Sequence, residues 1–219
     1  KHFIANFVAP GGREAGNIAL SERELREIHL VPYEAAVKQA GVKSLMAAYN
    51  AIDGVPCHAS HWLLTDVLRG DWGFTGFTVS DWSGVNHTHG YHRIASSWEE
   101  SAVLCSKAGL DVDLPRMRSY KLLTDAIKSG KIKESDIDVN VRRILRVKFE
   151  LGLFENPYVE EKDAVRLQDA PEFRSLARKA ARQSIILLKN ENQVLPLNYK
   201  KIAVVGPNAD VLQLGGYSA

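Results

Sequence analysis

Short apolar runs and amphipathic stretches alternate along the first part of the chain. Three apolar runs, Val42–Tyr49, Gly76–Ser80 and Gly109–Pro115, are predicted to be buried strands. Helices are predicted between them, near His61–Arg69 and Trp98–Lys107. Strands and helices that alternate with short connections form parallel βαβ units, so the pattern predicts an α/β fold.

The N-terminal region adds a helix and the end of a further strand. Ser21-Glu22-Arg23-Glu24 is a capping box, which predicts a helix that begins there. Pro32 is expected to kink or interrupt this helix, because proline lacks a backbone donor. Lys1-His2-Phe3 is typical of the end of a strand whose body precedes residue 1. Since the chain also begins without an initiator Met, we expect it to be part of a longer polypeptide.

The later part of the chain has a different organisation. Helices are predicted near Tyr120–Lys128 and Glu134–Glu150. Residues 154–170 mix charges without periodicity, which is typical of an interdomain linker. A long helix is predicted over Pro171–Leu188, and Lys201–Pro207 is predicted to be a buried strand that opens a second α/β unit.

Composition excludes several classes of protein. Hydrophobic residues make up 45% of the 219 and charged residues 25%, which is typical of a globular protein and excludes a disordered one. No apolar run approaches the roughly 18 residues of a membrane span. The net charge of +2 provides no basic face for nucleic-acid binding. Cys57 and Cys105 are too few for a disulfide scaffold.

Asp81 is the strongest candidate for chemistry. It follows the apolar run Gly76–Ser80 directly, and α/β folds place catalytic groups at the C-terminal ends of their strands. Trp82 beside it would provide an apolar wall for the face of a sugar ring. The alternative is that Asp81 only caps the next helix or turn.

Other strand ends carry further candidates. Lys1 and His2 would place a cation and an imidazole at the same mouth, where both can donate hydrogen bonds to hydroxyls or to a carboxylate. Tyr49, at the end of the Val42–Tyr49 run, would add a phenol. The alternatives are a solvated lysine and a tyrosine that packs on the rim.

Two histidine clusters invite a metal hypothesis that the spacing does not support. Cys57-His58 with His61 lacks a second ligand pair, and no carboxylate–histidine pattern accompanies the second cluster. The second cluster lies in a polar stretch that is expected to overhang the site, and it consists of His87, His89 and His92. Val204–Asn208 resembles the start of a nucleotide-binding fold, but the glycine fingerprint is absent. No metal or cofactor is therefore predicted.

A series of motifs resembles glycoside hydrolase family 3, the β-glucosidase and β-xylosidase family. In chain order they are Lys1-His2-Phe3, Ser21–Glu27, Met46-Ala47-Ala48-Tyr49-Asn50, Leu64–Arg69, Trp72–Trp82, Ala108–Asp111, Leu187–Asn190, Leu195–Leu197 and Val204–Asp210. The resemblance covers nearly the whole chain, and the combination of motifs is highly specific.

The resemblance implies a fold and a domain organisation. The family has a (β/α)8 barrel followed by an α/β sandwich domain. Residues 1–153 would then be the C-terminal half of the barrel, residues 154–170 the linker and residues 171–219 the truncated start of the sandwich. The length agrees, because a complete barrel takes about 250 residues.

The resemblance also implies roles for particular residues. Asp81 would be the nucleophile, while Lys1 and His2 would bind sugar hydroxyls. Tyr49 would lie beside the nucleophile. The residues that would line the pocket for the terminal sugar are Met46 and Trp82. The acid/base of the family is a glutamate of the sandwich domain, and it would lie outside this sequence.

The activity expected from this resemblance is retaining, exo-acting hydrolysis of terminal β-D-glucosyl residues. A β-xylosidase of the same family and a non-catalytic carbohydrate-binding relative are the alternatives. The expected partners are a glycoside or oligosaccharide and the missing halves of the same polypeptide, with a homo-oligomer as a further alternative. The family suggests a periplasmic or secreted protein, although the sequence itself leaves the location open.

Overall fold

The computed structural model describes residues 1–168, 170–211 and 215. The chain divides into two compact units, Lys1–Pro157 and Tyr158–Ala219. All strands of the described residues lie in the first unit, and they are β1 Asn17–Ile18, β2 Ser44–Met46, β3 Ala51–Ile52, β4 Val55–Pro56 and β5 Phe77–Val79.

Four parallel chain segments lie side by side at the centre of the first unit. β2 pairs with β5 in parallel, with Ser44 opposite Phe77. Phe3 makes a parallel bridge to Ala47 on one side, and Val112 makes one to Val79 on the other. The predicted strand at Gly76–Ser80 is therefore present as β5. The other two predicted strands are shorter than expected, since β2 has three residues and Gly109–Pro115 contributes only a bridge.

A small second sheet lies beside this arrangement. β1 pairs in parallel with β3, which forms an antiparallel hairpin with β4. Asp53 and Gly54 form the turn of the hairpin, both with positive φ. The backbone N–H of Gly54 donates to Asn17 Oδ1 at 2.7 Å, which ties the turn to β1.

Helices connect and follow these strands along the chain. The α-helices of the first unit are α1 Glu22–Glu24, α2 Val31–Lys38, α3 Gly84–Gly90, α4 Trp98–Ala108, α5 Leu123–Lys128 and α6 Glu134–Glu150. Two segments are π-helical, Leu25–His29 and Trp62–Asp71. The 3-10 turns are Asn6–Val8, Pro10–Gly12, Cys57–Ala59 and Tyr120–Leu122.

Local signals explain where the first helices begin and break. Ser21 Oγ accepts the backbone N–H of Glu24 at 3.2 Å, as the capping box predicts. Leu30 is a bend between the π-helical segment Leu25–His29 and α2. Pro32 lies in the first turn of α2, where a backbone N–H would have no partner within the helix, so its missing donor removes no helical hydrogen bond. The prediction that Pro32 interrupts this helix is confirmed.

A buried ion network fastens the helices to the strands. The side chain of Asp111 is fully buried and accepts from Arg69 Nη2 at 2.8 Å and from Arg143 Nη1 at 3.0 Å. It also accepts from the backbone N–H of Thr78, at 2.7 Å. Burial lowers the pKa of Arg69 to about 10, so this guanidinium remains charged at neutral pH. Asp111 therefore links β5, the helix Trp62–Asp71 and α6.

We expect Asp111→Ala to destabilise the first unit strongly. The change leaves two arginines of a buried network without their carboxylate, which typically costs about 3–5 kcal/mol. Denaturant unfolding of the intact protein measures the loss. Asp125→Ala is the matched control, because Asp125 pairs with Lys128 on the surface and its loss costs about 1 kcal/mol or less. Equal effects of the two changes would contradict a structural role for the network.

The second unit differs from its prediction. The stretch 154–170, predicted as an interdomain linker without periodicity, contains helix α7 Glu161–Leu167, and residue 169 lies outside the described residues. The helix predicted over Pro171–Leu188 ends earlier, as α8 Pro171–Ser184. A 3-10 turn follows at Glu191–Gln193.

The strand predicted at Lys201–Pro207 is not formed. Val204 and Val205 are exposed rather than buried, with 86% of Val205 accessible. A buried strand needs neighbouring strands to satisfy its backbone, and the described residues of 158–219 form none. The apolar run therefore identified a segment that could pair in a sheet, but it did not show that a partner strand is present.

Among the described residues, no helix has the length and apolar character needed to span a membrane.

Candidate active site

Asp81 lies at the C-terminal end of β5, as the sequence predicts. Ser80 continues the pairing beyond β5, since its backbone N–H donates to Val112 O at 2.8 Å and its Oγ accepts the N–H of Leu114 at 2.8 Å. Ser83 then adopts a left-handed conformation with φ of 60° before α3 begins at Gly84. This turn holds Asp81 at the mouth of the parallel strands, with 15% of its side chain exposed.

The carboxylate of Asp81 is held from two directions. His2 Nε2 lies 3.3 Å from Oδ2, and the backbone N–H of Trp82 donates to Oδ1 at 2.7 Å. The N–H of Phe3 donates to Met46 O at 2.7 Å, which fixes the strand end that carries His2. Neighbouring strand ends therefore bring His2 and Asp81 together. The accessible carboxylate is suited to attack on an electrophilic carbon.

Tyr49 bridges the end of β2 to the turn that follows β5. Its hydroxyl donates to the backbone carbonyl of Trp82 at 2.7 Å. Its own carbonyl lies 2.8 Å from His92 Nε2, and its ring centroid lies 5.0 Å from that of His87. Tyr49 thus lies beside Asp81 and supports the backbone of Trp82.

The other candidate residues occupy the same region of the first unit. Met46 ends β2, where it pairs with Val79, and it is partly buried. The side chain of Trp82 is 67% exposed next to Asp81, so it is free to contact a ligand. Lys1 is exposed and adjoins His2.

The histidines near Asp81 differ from the expectation in their placement. His87 and His89 were predicted in a polar loop, but they belong to α3, and His92 follows that helix. His89 Nδ1 lies 2.9 Å from the carbonyl of Ala95, away from the carboxylate contacts of Asp81. Burial lowers the pKa of both His87 and His92, which favours the neutral form of each ring. In the described part of the chain, no cluster of three His, Cys, Asp or Glu side chains could hold a metal ion.

Sequence reasoning missed the role of His58. This side chain is 1% exposed, and its Nε2 accepts the backbone N–H of Asp81 at 3.1 Å. His58 lies in the 3-10 turn that follows β4, and nothing in the local sequence signals a contact with Asp81. The sequence pattern indicates His58 only as a possible member of a metal cluster with Cys57 and His61.

Comparison with known proteins identifies the family of the chain. Residues 1–147 match the N-terminal domain of glycosyl hydrolase family 3. The chain belongs to that family. Residues 185–219 match the C-terminal domain of family 3, so both matches follow chain order.

The relatives of the chain include named β-xylosidases and β-glucosidases. A β-xylosidase of Formosa agariphila is 41% identical over the whole chain, and a periplasmic β-glucosidase of Salmonella typhimurium is 37% identical. The chain spans 33% and 29% of the lengths of these two curated relatives.

Solved structures of β-glucosidases share its fold. The enzyme of Erythrobacter marinus is 41% identical, with a TM-score of 0.85, over 90% of this chain and 26% of that one. The glucose complex of the Listeria innocua enzyme is 38% identical, with a TM-score of 0.80, over 90% of this chain and 27% of that one. The α/β fold of the chain is therefore that of family 3.

Proposed function

We propose that the chain is part of a retaining, exo-acting β-glycosidase in which Asp81 is the nucleophile. The observation that carries the proposal is the position of this carboxylate, partly exposed at the C-terminal end of a parallel strand and held by His2 and the N–H of Trp82. Terminal, non-reducing β-D-glucosyl residues are the proposed substrate. No cofactor takes part in the proposed reaction.

The finer architecture is proposed on the same basis. We infer that residues 1–153 are the C-terminal half of a (β/α)8 barrel, residues 154–170 a linker and residues 171–219 the start of an α/β sandwich domain. Four parallel segments in the order Phe3, β2, β5, Val112 support the half-barrel. The match of residues 185–219 to the C-terminal domain of the family supports the sandwich.

The proposed reaction has two steps. One oxygen of Asp81 attacks the anomeric carbon, the glycosidic bond breaks, and the leaving oxygen takes a proton from a second carboxyl group. Water then hydrolyses the glycosyl–aspartate ester with the second group as base. Retention requires the two carboxyl groups to lie about 5–5.5 Å apart. In the proposal the second group is a glutamate of the intact polypeptide outside residues 1–219.

The remaining candidates bind the terminal sugar. Lys1 and His2 donate hydrogen bonds to its hydroxyls, while Met46 and Trp82 line its pocket. Tyr49 has a supporting role, because its hydroxyl is committed to the carbonyl of Trp82. An aromatic surface such as the exposed Trp82 suits the apolar face of a sugar ring.

His2→Ala is expected to lower kcat/KM of the intact enzyme without removing a limb of its pH profile. The change removes a donor to the sugar and the contact with Asp81 Oδ2, but it removes no group that transfers a proton in the proposed reaction. Rates from pH 4 to pH 9 on an aryl β-glucoside measure both properties. A lost limb in the variant would show instead that His2 is an acid or a base.

The identity of the sugar has a second candidate. The β-xylosidase of Formosa agariphila is more similar to this chain than the Salmonella typhimurium β-glucosidase is, so xylose is a specific alternative. Initial rates of the intact protein on aryl β-glucosides and β-xylosides distinguish the two. Sugar binding by calorimetry with hydrolysis of neither substrate would favour a non-catalytic carbohydrate-binding protein and would refute the proposed reaction.

A further inference from the structure

His58 connects two strand ends through a buried imidazole ring. Its Nε2 accepts the backbone N–H of Asp81 at 3.1 Å, and the ring also hydrogen-bonds the backbone of Ala48, which follows β2. The side chain is almost completely inaccessible to solvent. The ring therefore joins the end of β2 to the turn that presents the Asp81 carboxylate.

The protonation state of His58 suits this connection. Burial, with smaller contributions from the neighbouring His87 and His92, lowers its pKa to about 3 even though the charge of Asp81 acts in the opposite direction. The ring is consequently neutral throughout the pH range in which glycosides are assayed. A neutral imidazole has one acceptor nitrogen and one donor nitrogen. With Nε2 accepting from Asp81, the proton lies on Nδ1.

Gly84 confines the ring from the other side. A Cβ atom at Gly84 would overlap the His58 ring, so any side chain at this position would displace the ring. The backbone N–H of Gly84 donates to the carbonyl of Asp81 at 2.9 Å. The turn from Asp81 to Gly84 thus packs directly against the imidazole.

We propose that His58 is a positioning residue, which aims the carboxylate of Asp81 by holding its backbone N–H. The inference rests on the proposed function of Asp81 as nucleophile. In this proposal, His58 acts through the backbone of Asp81 rather than by contact with the sugar or the reacting atoms. A small displacement of a reacting group lowers the rate of the chemical step rather than the affinity for substrate. A displacement of about 1 Å can lower that rate roughly 10²-fold.

Two substitutions distinguish the role of His58 as a hydrogen-bond acceptor from the role of its ring in filling space. His58→Phe fills the space without an acceptor, whereas His58→Gln retains an oxygen that can accept the N–H of Asp81. In the intact enzyme, we expect His58→Phe to lower kcat by about 10- to 100-fold with little change in KM, and His58→Gln to recover most of the loss. His61→Ala is the control, because His61 is exposed and pairs with Asp66.

Gly84→Ala tests the same contact from the opposite side. The added methyl group pushes against the imidazole, and we expect a loss of kcat similar to that of His58→Phe. Gly90→Ala is the matched control at the other end of α3, because a Cβ there meets no atom within 4 Å. This pair keeps the inference testable if His58→Phe does not fold, which circular dichroism and thermal melting would reveal.

The reaction with a 2-fluoroglycoside inactivator isolates the step in which the nucleophile attacks. We expect His58→Phe and Gly84→Ala to slow inactivation by the same factor as kcat. Unchanged kcat in both folded variants, or a His58→Gln enzyme as slow as His58→Phe, would overturn the inference. Failure of the proposed function gives a different result, because Asp81→Asn would then retain the activity of the unmodified enzyme.

Discussion

Replacing Asp81 by Asn is expected to lower the kcat of the intact enzyme by about 10⁴-fold or more. The amide preserves the size of the side chain but cannot attack the anomeric carbon as a carboxylate does. The contacts of Asp81 with His2 and with the N–H of Trp82 show that this side chain is held in one place. The loss should appear in kcat, because the sugar pocket itself is unchanged.

A matched control distinguishes this effect from a general loss of charge. Asp138→Asn removes a carboxylate from the exposed surface of α6, and we expect it to leave kcat unchanged. A smaller side chain at position 81 provides a second test. In Asp81→Gly, added azide should restore turnover and form a glycosyl azide of inverted configuration, since azide then attacks from the side that Asp81 occupied. An Asp81→Asn enzyme with normal kcat would contradict the assignment.

Residues 1–219 expressed alone are expected to hydrolyse aryl β-glucosides at least about 10²–10⁴-fold more slowly than the intact protein, the usual contribution of acid catalysis. In the proposed reaction the proton donor lies outside these residues. The parallel segments at Phe3 and Val112 also lie at the two edges of a four-segment arrangement, which is too narrow to close a barrel. The sugar would consequently be less well oriented.

Substrates with different leaving groups distinguish the two causes of the lower rate, the missing proton donor and the poorer orientation of the sugar. A dinitrophenyl glycoside needs little protonation, so the isolated chain should lose less activity on it than on a nitrophenyl or alkyl glycoside. Size-exclusion chromatography shows whether the exposed strand edges pair with a second copy. Turnover equal to that of the intact protein, and abolished by Asp81→Asn, would mean that an acid/base lies within residues 1–219.

The strand ends were the most predictable part of the molecule. An apolar run bounded by glycine and polar residues predicted β5, and the residue that follows such a run must lie at its C-terminal end. That argument placed Asp81, and similar arguments placed His2 and Tyr49 on neighbouring strand ends. The contact of His2 with Asp81, and that of Tyr49 with the carbonyl of Trp82, show that these strand ends lie together.

Two features could not be predicted for physical reasons. His58 acts through its contact with the N–H of Asp81, 23 residues away, and no local pattern encodes such a contact. The run Lys201–Pro207 has the composition of a strand, but strand formation depends on partners that local sequence does not specify. The helix Glu161–Leu167 lacks an apolar stripe to bury, so hydrophobic periodicity did not reveal it.

The most direct test of the central claim is to identify the residue that carries the sugar during turnover. The intact protein is inactivated with a 2-deoxy-2-fluoro-β-glucoside, or with the corresponding xyloside, and digested for tandem mass spectrometry. The account predicts one glycosylated residue, Asp81, within the peptide that contains Ser80 and Trp82. A sugar attached to any other carboxylate would contradict it.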